Sequence, residues 1–153
     1  MVTCHSQYDS TEAPYKHFKG FPPVTLLLPD SSSQTIKNNL PEKRVVMLMI
    51  FNPGCEHCQR ETEEPIQHIG EFRKVRIIMA SMMSLPDIKS FIEKYQLNQY
   101  ENIIVGQDTQ FFLPIFFRIS NLPFLAFYHK KKELISVFEG SLPIEKALLE
   151  LNK

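Results

Sequence analysis

Seven consecutive apolar residues, Val45-Val46-Met47-Leu48-Met49-Ile50-Phe51, run directly into Asn52-Pro53-Gly54-Cys55-Glu56-His57-Cys58. An unbroken apolar run of this length is the pattern of a strand buried on both faces. Asn-Pro-Gly stops it, because these residues favour a turn over a ladder. Helical composition follows from about Glu56 to Lys74, with Glu61, Glu63 and Glu64 in early turns, where the helix dipole favours acids. Pro65 lies inside this stretch and is predicted to kink it. A buried strand, a tight turn and a helix that opens on two cysteines leave few arrangements other than a layered α/β domain.

The remaining pattern agrees. Val24–Leu28 reads as a short strand, Gln34–Leu40 is open between edge strand and helical turn, and Val75–Ala80 is a second buried strand. Pro86–Leu97 is a predicted helix with Ile88, Phe91, Ile92 and Tyr95 on one stripe. Ile103–Gly106 is a strand and Thr109–Ile119 a helix begun or interrupted near Pro114. Phe124–Tyr128 and Leu134–Phe138 form a hairpin across His129–Glu133, and Leu142–Leu151 is a last amphipathic helix. Residues 1–20 are polar and aperiodic and read as a tether; 21–153 form the domain. A mixed sheet covered by helices is the expected fold.

Composition removes several functions. The 153 residues suit one domain, and 17 Lys+Arg balance 17 Asp+Glu. Without a basic excess there is no electrostatic footprint for nucleic acid. No apolar run approaches the roughly 20 residues of a membrane span. No charged-then-apolar leader precedes Cys4. Three cysteines cannot make a disulfide framework, so the Cys55/Cys58 pair asks for a chemical reading.

That reading is redox. Cys55 falls where a helix start presents unpaired N–H groups and the positive end of the dipole, which stabilise a thiolate. Cys58 lies three residues on, turned inward and close enough to close a disulfide. Attack by Cys55 on a substrate disulfide gives a mixed disulfide that Cys58 resolves. His57 is expected to lower the Cys55 pKa and Glu56 to raise it. Glu61 shares a helix face with Cys58 and is the candidate base that deprotonates it; its bland alternative is a solvated acid beside Arg60, Glu63 and Glu64.

With these residues, the chain resembles the thioredoxin fold, and within it the TlpA/ResA-like thiol–disulfide oxidoreductases of bacterial envelopes. The resemblance covers about Phe21 to Lys153. It rests on Val45–Phe51 as central strand, Phe51–Cys58 as active-site turn and Asn121-Leu122-Pro123-Phe124 as the cis-proline loop. Val75–Val105 matches that branch's extra helix and strand. The resemblance implies Cys55 as nucleophile, Cys58 as resolving thiol, and Leu122 and Pro123 as the substrate-binding loop. It implies neither metal nor organic cofactor, protein dithiol or disulfide substrates, a membrane or soluble redox partner that recycles the pair, and a monomer in the periplasm or cell envelope; the cytoplasm is the alternative. Glu61 matches the acid of ResA-like members. Met49 stands where minimal thioredoxins carry a buried acid, the flanking Trp is absent, and Pro65 falls ten rather than eight residues after Cys55.

Other readings remain open from sequence. Cys55 and Cys58 with Cys4-His5 would make a zinc site, and a non-catalytic binding module would use the Pro123 surface. A thiol peroxidase needs Ser or Thr at position 52, where Asn52 stands. Cys4 is a candidate lipid anchor, an interchain disulfide former or an incidental thiol. The run Lys130-Lys131-Lys132 reads as a solvated turn, with a partner-binding patch as its alternative.

Overall fold

The computed structural model describes residues 11–153. Its centre is β3 (Val45–Ile50), whose last five residues are all buried. On one side β3 pairs in parallel with β4 (Val75–Ser81), and β4 in turn with β5 (Ile103–Gln107). On the other side β3 pairs antiparallel with β6 (Phe124–Tyr128), which forms a hairpin with β7 (Leu134–Glu139). A small hairpin, β1 (Thr25–Leu27) and β2 (Ser33–Thr35), docks antiparallel on β5. The sheet order is β2-β1-β5-β4-β3-β6-β7. Gln34–Leu40 resolves into both of its candidate forms, the end of β2 and then a 3-10 turn over Ile36–Asn39.

Alternating side chains of the central strands feed two cores, one on each face of the sheet. Met47, Met49, Ile77, Met79, Leu125 and Phe127 face one layer. Into it pack α1 (Glu56–Gln67), α2 (Leu85–Tyr95) and α4 (Ile144–Leu151). Val46, Leu48, Ile50, Ile78, Ala126 and Tyr128 face the other, covered by α3 (Phe112–Phe117) and by Phe21 and Leu26. The expected mixed sheet flanked by helices is therefore present, and α2 with β5 forms the expected helix–strand insertion between β4 and α3.

Three departures from the sequence reading are larger than the one or two residues by which other element ends differ. Helix α1 ends at Gln67 rather than Lys74: the chain passes through the Pro65 position for less than one turn and breaks at His68, whose backbone is no longer helical. Helix α3 is shorter than Thr109–Ile119, because Phe111 and Arg118, both at positive φ, close it at either end. The buried Asp108 carboxylate starts α3 by accepting from the Phe112 and Leu113 N–H groups at 3.1 and 2.8 Å. Residues 11–20, read as part of the tether, touch the domain at points although most are exposed: Ala13 is buried, Tyr15 meets Phe117 at 5.5 Å between ring centres, and Gly20 bridges to Glu133. Cys4 and His5 lie outside the described residues.

A dithiol at the start of α1

Asn52 shapes the turn that delivers the cysteines. Its side-chain oxygen accepts from Gly54 N–H at 2.9 Å and its carbonyl accepts from Cys55 N–H at 3.0 Å. The Gln59 side chain donates to the Pro53 carbonyl at 3.0 Å, fastening the turn to the first helical turn. Cys55 thus takes the N-cap position of α1 with extended backbone angles, where helical N–H groups are unpaired.

The two thiols sit in opposite environments. Cys55 is partly exposed and Cys58 is fully buried, both as free thiols. Burial pulls the Cys55 pKa upward, but the Cys58 N–H and side chain and the His57 N–H outweigh it, so the thiol titrates below its ordinary value. The Glu56 charge opposes this shift, as expected from sequence. Burial pushes the Cys58 thiol up to about 12, and the negative charges of Cys55 and Glu61 add to that. The accessible thiol is thus the more acidic of the two and the buried one the less acidic.

His57 acts on Cys55 through its backbone N–H; its imidazole turns to Ser141, with Nδ1 and Oγ 3.4 Å apart. The expected lowering of the Cys55 pKa is supplied here by the His57 N–H. Glu61 is only 7% exposed, which removes the solvated-acid alternative. Its carboxylate accepts from Leu142 N–H at 3.1 Å, and burial holds its pKa above the usual carboxylate range.

The Leu122–Pro123 peptide is cis. Pro123 is buried and its carbonyl accepts from Gly140 N–H at 2.8 Å, whereas the N–H and C=O of half-buried Leu122 have no partner among the described residues. Glu139 holds the preceding loop, its carboxylate accepting from Ser120 N–H at 3.0 Å and from the Asn121 amide at 3.5 Å. Sequence reasoning missed the segment 139–142 altogether. Its four consecutive residues touch the proline loop, His57 and Glu61 from a different part of the chain, and nothing in their types announces it. A cavity of about 380 Å³ opens on the other side of the turn, between Asn52–Gly54 and α2, with Phe91 and the exposed Met83 in its lining.

Among the described residues no cluster of three or more His, Cys, Asp or Glu is placed to hold a metal ion, and no helix is long and apolar enough to cross a membrane.

A seven-stranded mixed sheet with a dithiol at the N-terminus of α1, and a cis-proline loop entering β6 beside the end of β3, has the architecture of the thioredoxin fold. No protein-family model matches the chain and no curated protein is similar to it in sequence. Solved structures share the fold. Mycobacterium tuberculosis DsbF superimposes with a TM-score of 0.71 at 17% identity, over 85% of this chain and 93% of that one. A secreted M. tuberculosis disulfide oxidoreductase homologous to Escherichia coli DsbE gives 0.70 at 14%, over 85% and 95%. A mutant of peroxiredoxin 6 from Arenicola marina gives 0.72 at 13%, over 86% and 70%. The fold therefore hosts both disulfide exchange and peroxide chemistry, and the site has to decide between them.

Proposed function

We propose that this protein is a thiol–disulfide oxidoreductase acting on protein substrates through Cys55 and Cys58. The observation that carries the reading is the asymmetry of the pair: an accessible thiol with a lowered pKa three residues before a buried one pushed up to about 12. A peroxidase reading lacks the hydroxyl that its pattern needs, since Asn52 occupies that position.

In the reductive direction the Cys55 thiolate attacks one sulfur of a substrate disulfide. A Cys55–substrate disulfide forms, the substrate S–S bond breaks, and one substrate thiolate leaves. Cys58 then loses its proton and attacks the Cys55 sulfur. The Cys55–Cys58 disulfide forms and the second substrate thiolate leaves, so two electrons have passed from protein to substrate. Glu61, buried on the same face of α1, is the acceptor of the Cys58 proton. Glu56 and His57 tune Cys55 in opposite directions, the Glu56 charge raising its pKa and the His57 N–H lowering it. The unpaired N–H and C=O of Leu122 pair with an extended substrate segment laid along Pro123.

The electrons reside on sulfur, and no organic cofactor or metal takes part. We place the protein in the TlpA/ResA-like branch, as a monomer in the periplasm or cell envelope, recycled by a membrane or soluble redox partner. The secreted DsbE homologue supports this placement by its shared fold, and Cys4 is the candidate point of lipid attachment. Insulin reduction with dithiothreitol as electron source tests the activity. Turnover that is lost in Cys55→Ser supports the reading; no turnover by the parent protein turns it into a binding module.

A further inference from the structure

A second concave site lies at the opposite pole of the molecule. Val45 and Val75 open the parallel strands β3 and β4 and pair in register, whereas the dithiol follows the far end of β3. Six residues of strand separate the two ends by roughly 20 Å. At the opening end a cavity of about 240 Å³ is lined by Lys43, Arg44, Lys74 and Lys130, with Glu71 its only carboxylate. These cations come from three separate chain segments, in a protein whose formal net charge is zero. Concentrated charge here is a local feature, not general basicity.

None of the four cationic heads makes an ion pair; the salt bridges among the described residues are His17–Glu12 and Lys153–Glu150. Repulsion would drive the segments apart, yet two of them are tied together. Lys132 donates its ammonium to the Arg44 carbonyl at 2.6 Å and to the Lys130 carbonyl at 3.0 Å, fastening the β6–β7 turn to the approach of β3. Arg76, near Arg44, donates Nη1 to the Glu101 carbonyl at 2.8 Å, while its buried Nε has no partner. Burial and the charge of Arg44 both lower its pKa. Behind the cations the lining is apolar, formed by Val75, Leu148 and Leu151.

We propose that this cavity binds the phosphoryl group of a phosphorylated ligand, with the cations on the phosphate and the apolar wall beneath its organic part. Low-dielectric walls focus the field of several cations on a bound anion, and phosphate accepts from lysine and arginine alike. The site is separate from the dithiol and does not depend on the redox reading. A soluble phosphate ester and a phospholipid headgroup present the same chemistry.

The test uses the full chain with two probes, pyrophosphate by titration calorimetry and vesicles of phosphatidylglycerol or phosphatidylcholine by sedimentation, at about 20 mM salt, where exposed charges are little screened. The exposed pair Lys74→Gln/Lys130→Gln is expected to weaken binding about tenfold, while Lys37→Gln/Lys89→Gln, which keeps the same net charge, leaves it unchanged. Saturable pyrophosphate binding with that pattern supports a soluble ligand, and binding confined to phosphatidylglycerol vesicles with that pattern supports a headgroup. Binding of neither probe, or equal loss in both double variants, overturns the proposal. Insulin reduction is expected to be unchanged in Lys74→Gln/Lys130→Gln.

Discussion

The backbone N–H of Leu142 donates to the buried carboxylate of Glu61 at 3.1 Å across 81 residues of chain. This bond fixes the acid beneath Cys58 and ties α1 to the segment entering α4. It also leaves a titratable group in an apolar layer, with a consequence for stability. Burial raises the Glu61 pKa, the Leu142 N–H opposes the rise and the Glu64 charge adds to it. Below the unfolded carboxyl value of about 4.3 both states hold the proton. As pH rises through that value the folded state retains its proton longer, and stability falls until the folded carboxyl also ionises.

Glu61→Gln keeps the acceptor and removes the charge. It is predicted to raise Tm at pH 7 by about 2–4 °C, for roughly 1 kcal/mol, with the gain gone near pH 4. It should also slow release of the mixed disulfide. Calorimetry at the two pH values checks the first part; an equal Tm difference at both contradicts it.

Alkylation reads the asymmetry of the dithiol. In the reduced protein Cys55 is predicted to react first with iodoacetamide, with a half-maximal pH below the roughly 8.5 of a free thiol. Cys58 should react only after unfolding. Peptide mapping that finds Cys58 modified first would reverse the roles.

His57 is predicted to matter through its backbone. Pro at the second helical position is tolerated by α1 but deletes the N–H that reaches Cys55. A hydrogen bond to a charged group is worth about 1.5–3 kcal/mol, so His57→Pro should lower the reduction potential by on the order of 30 mV or more. His57→Ala keeps the N–H and should shift it far less. Equal shifts in glutathione equilibration would return the role to the imidazole.

Gly106 carries a structural prediction. A Cβ there would lie 2.9 Å from the Leu26 Cβ and 3.0 Å from the Leu27 carbonyl, where β1 docks on β5. Gly106→Ala is predicted to cost about 1–3 kcal/mol by overpacking, seen as a lower urea midpoint. An unchanged midpoint would mean that the β1–β2 hairpin yields freely.

The parts of this molecule that were legible in its sequence are the parts specified locally. Val45–Phe51 declares a buried strand by composition, Asn52-Pro53-Gly54 declares the turn, and Cys55 with Cys58, set between that strand and a helix, points to dithiol chemistry. What escaped depends on partners far along the chain. Glu61 was legible as a candidate base from its spacing to Cys58, but its burial was not, because the Leu142 N–H that pairs with it comes from 81 residues away. The contact of the His57 ring with Ser141, 84 residues away, is likewise announced by nothing local. The packing of Pro14–Lys16 against α3 escaped for the same reason, since a three-residue turn has no period to read.

Trapping of the mixed disulfide tests the central assignment most directly. The Cys58→Ser protein, incubated with a disulfide-bonded polypeptide, has no second thiolate to displace the substrate. It is predicted to accumulate a covalent adduct that dithiothreitol releases, whereas Cys55→Ser should accumulate far less because Cys58 is buried. Equal adduct from both variants would contradict the division of roles between the two cysteines, and adduct from neither would contradict the oxidoreductase itself.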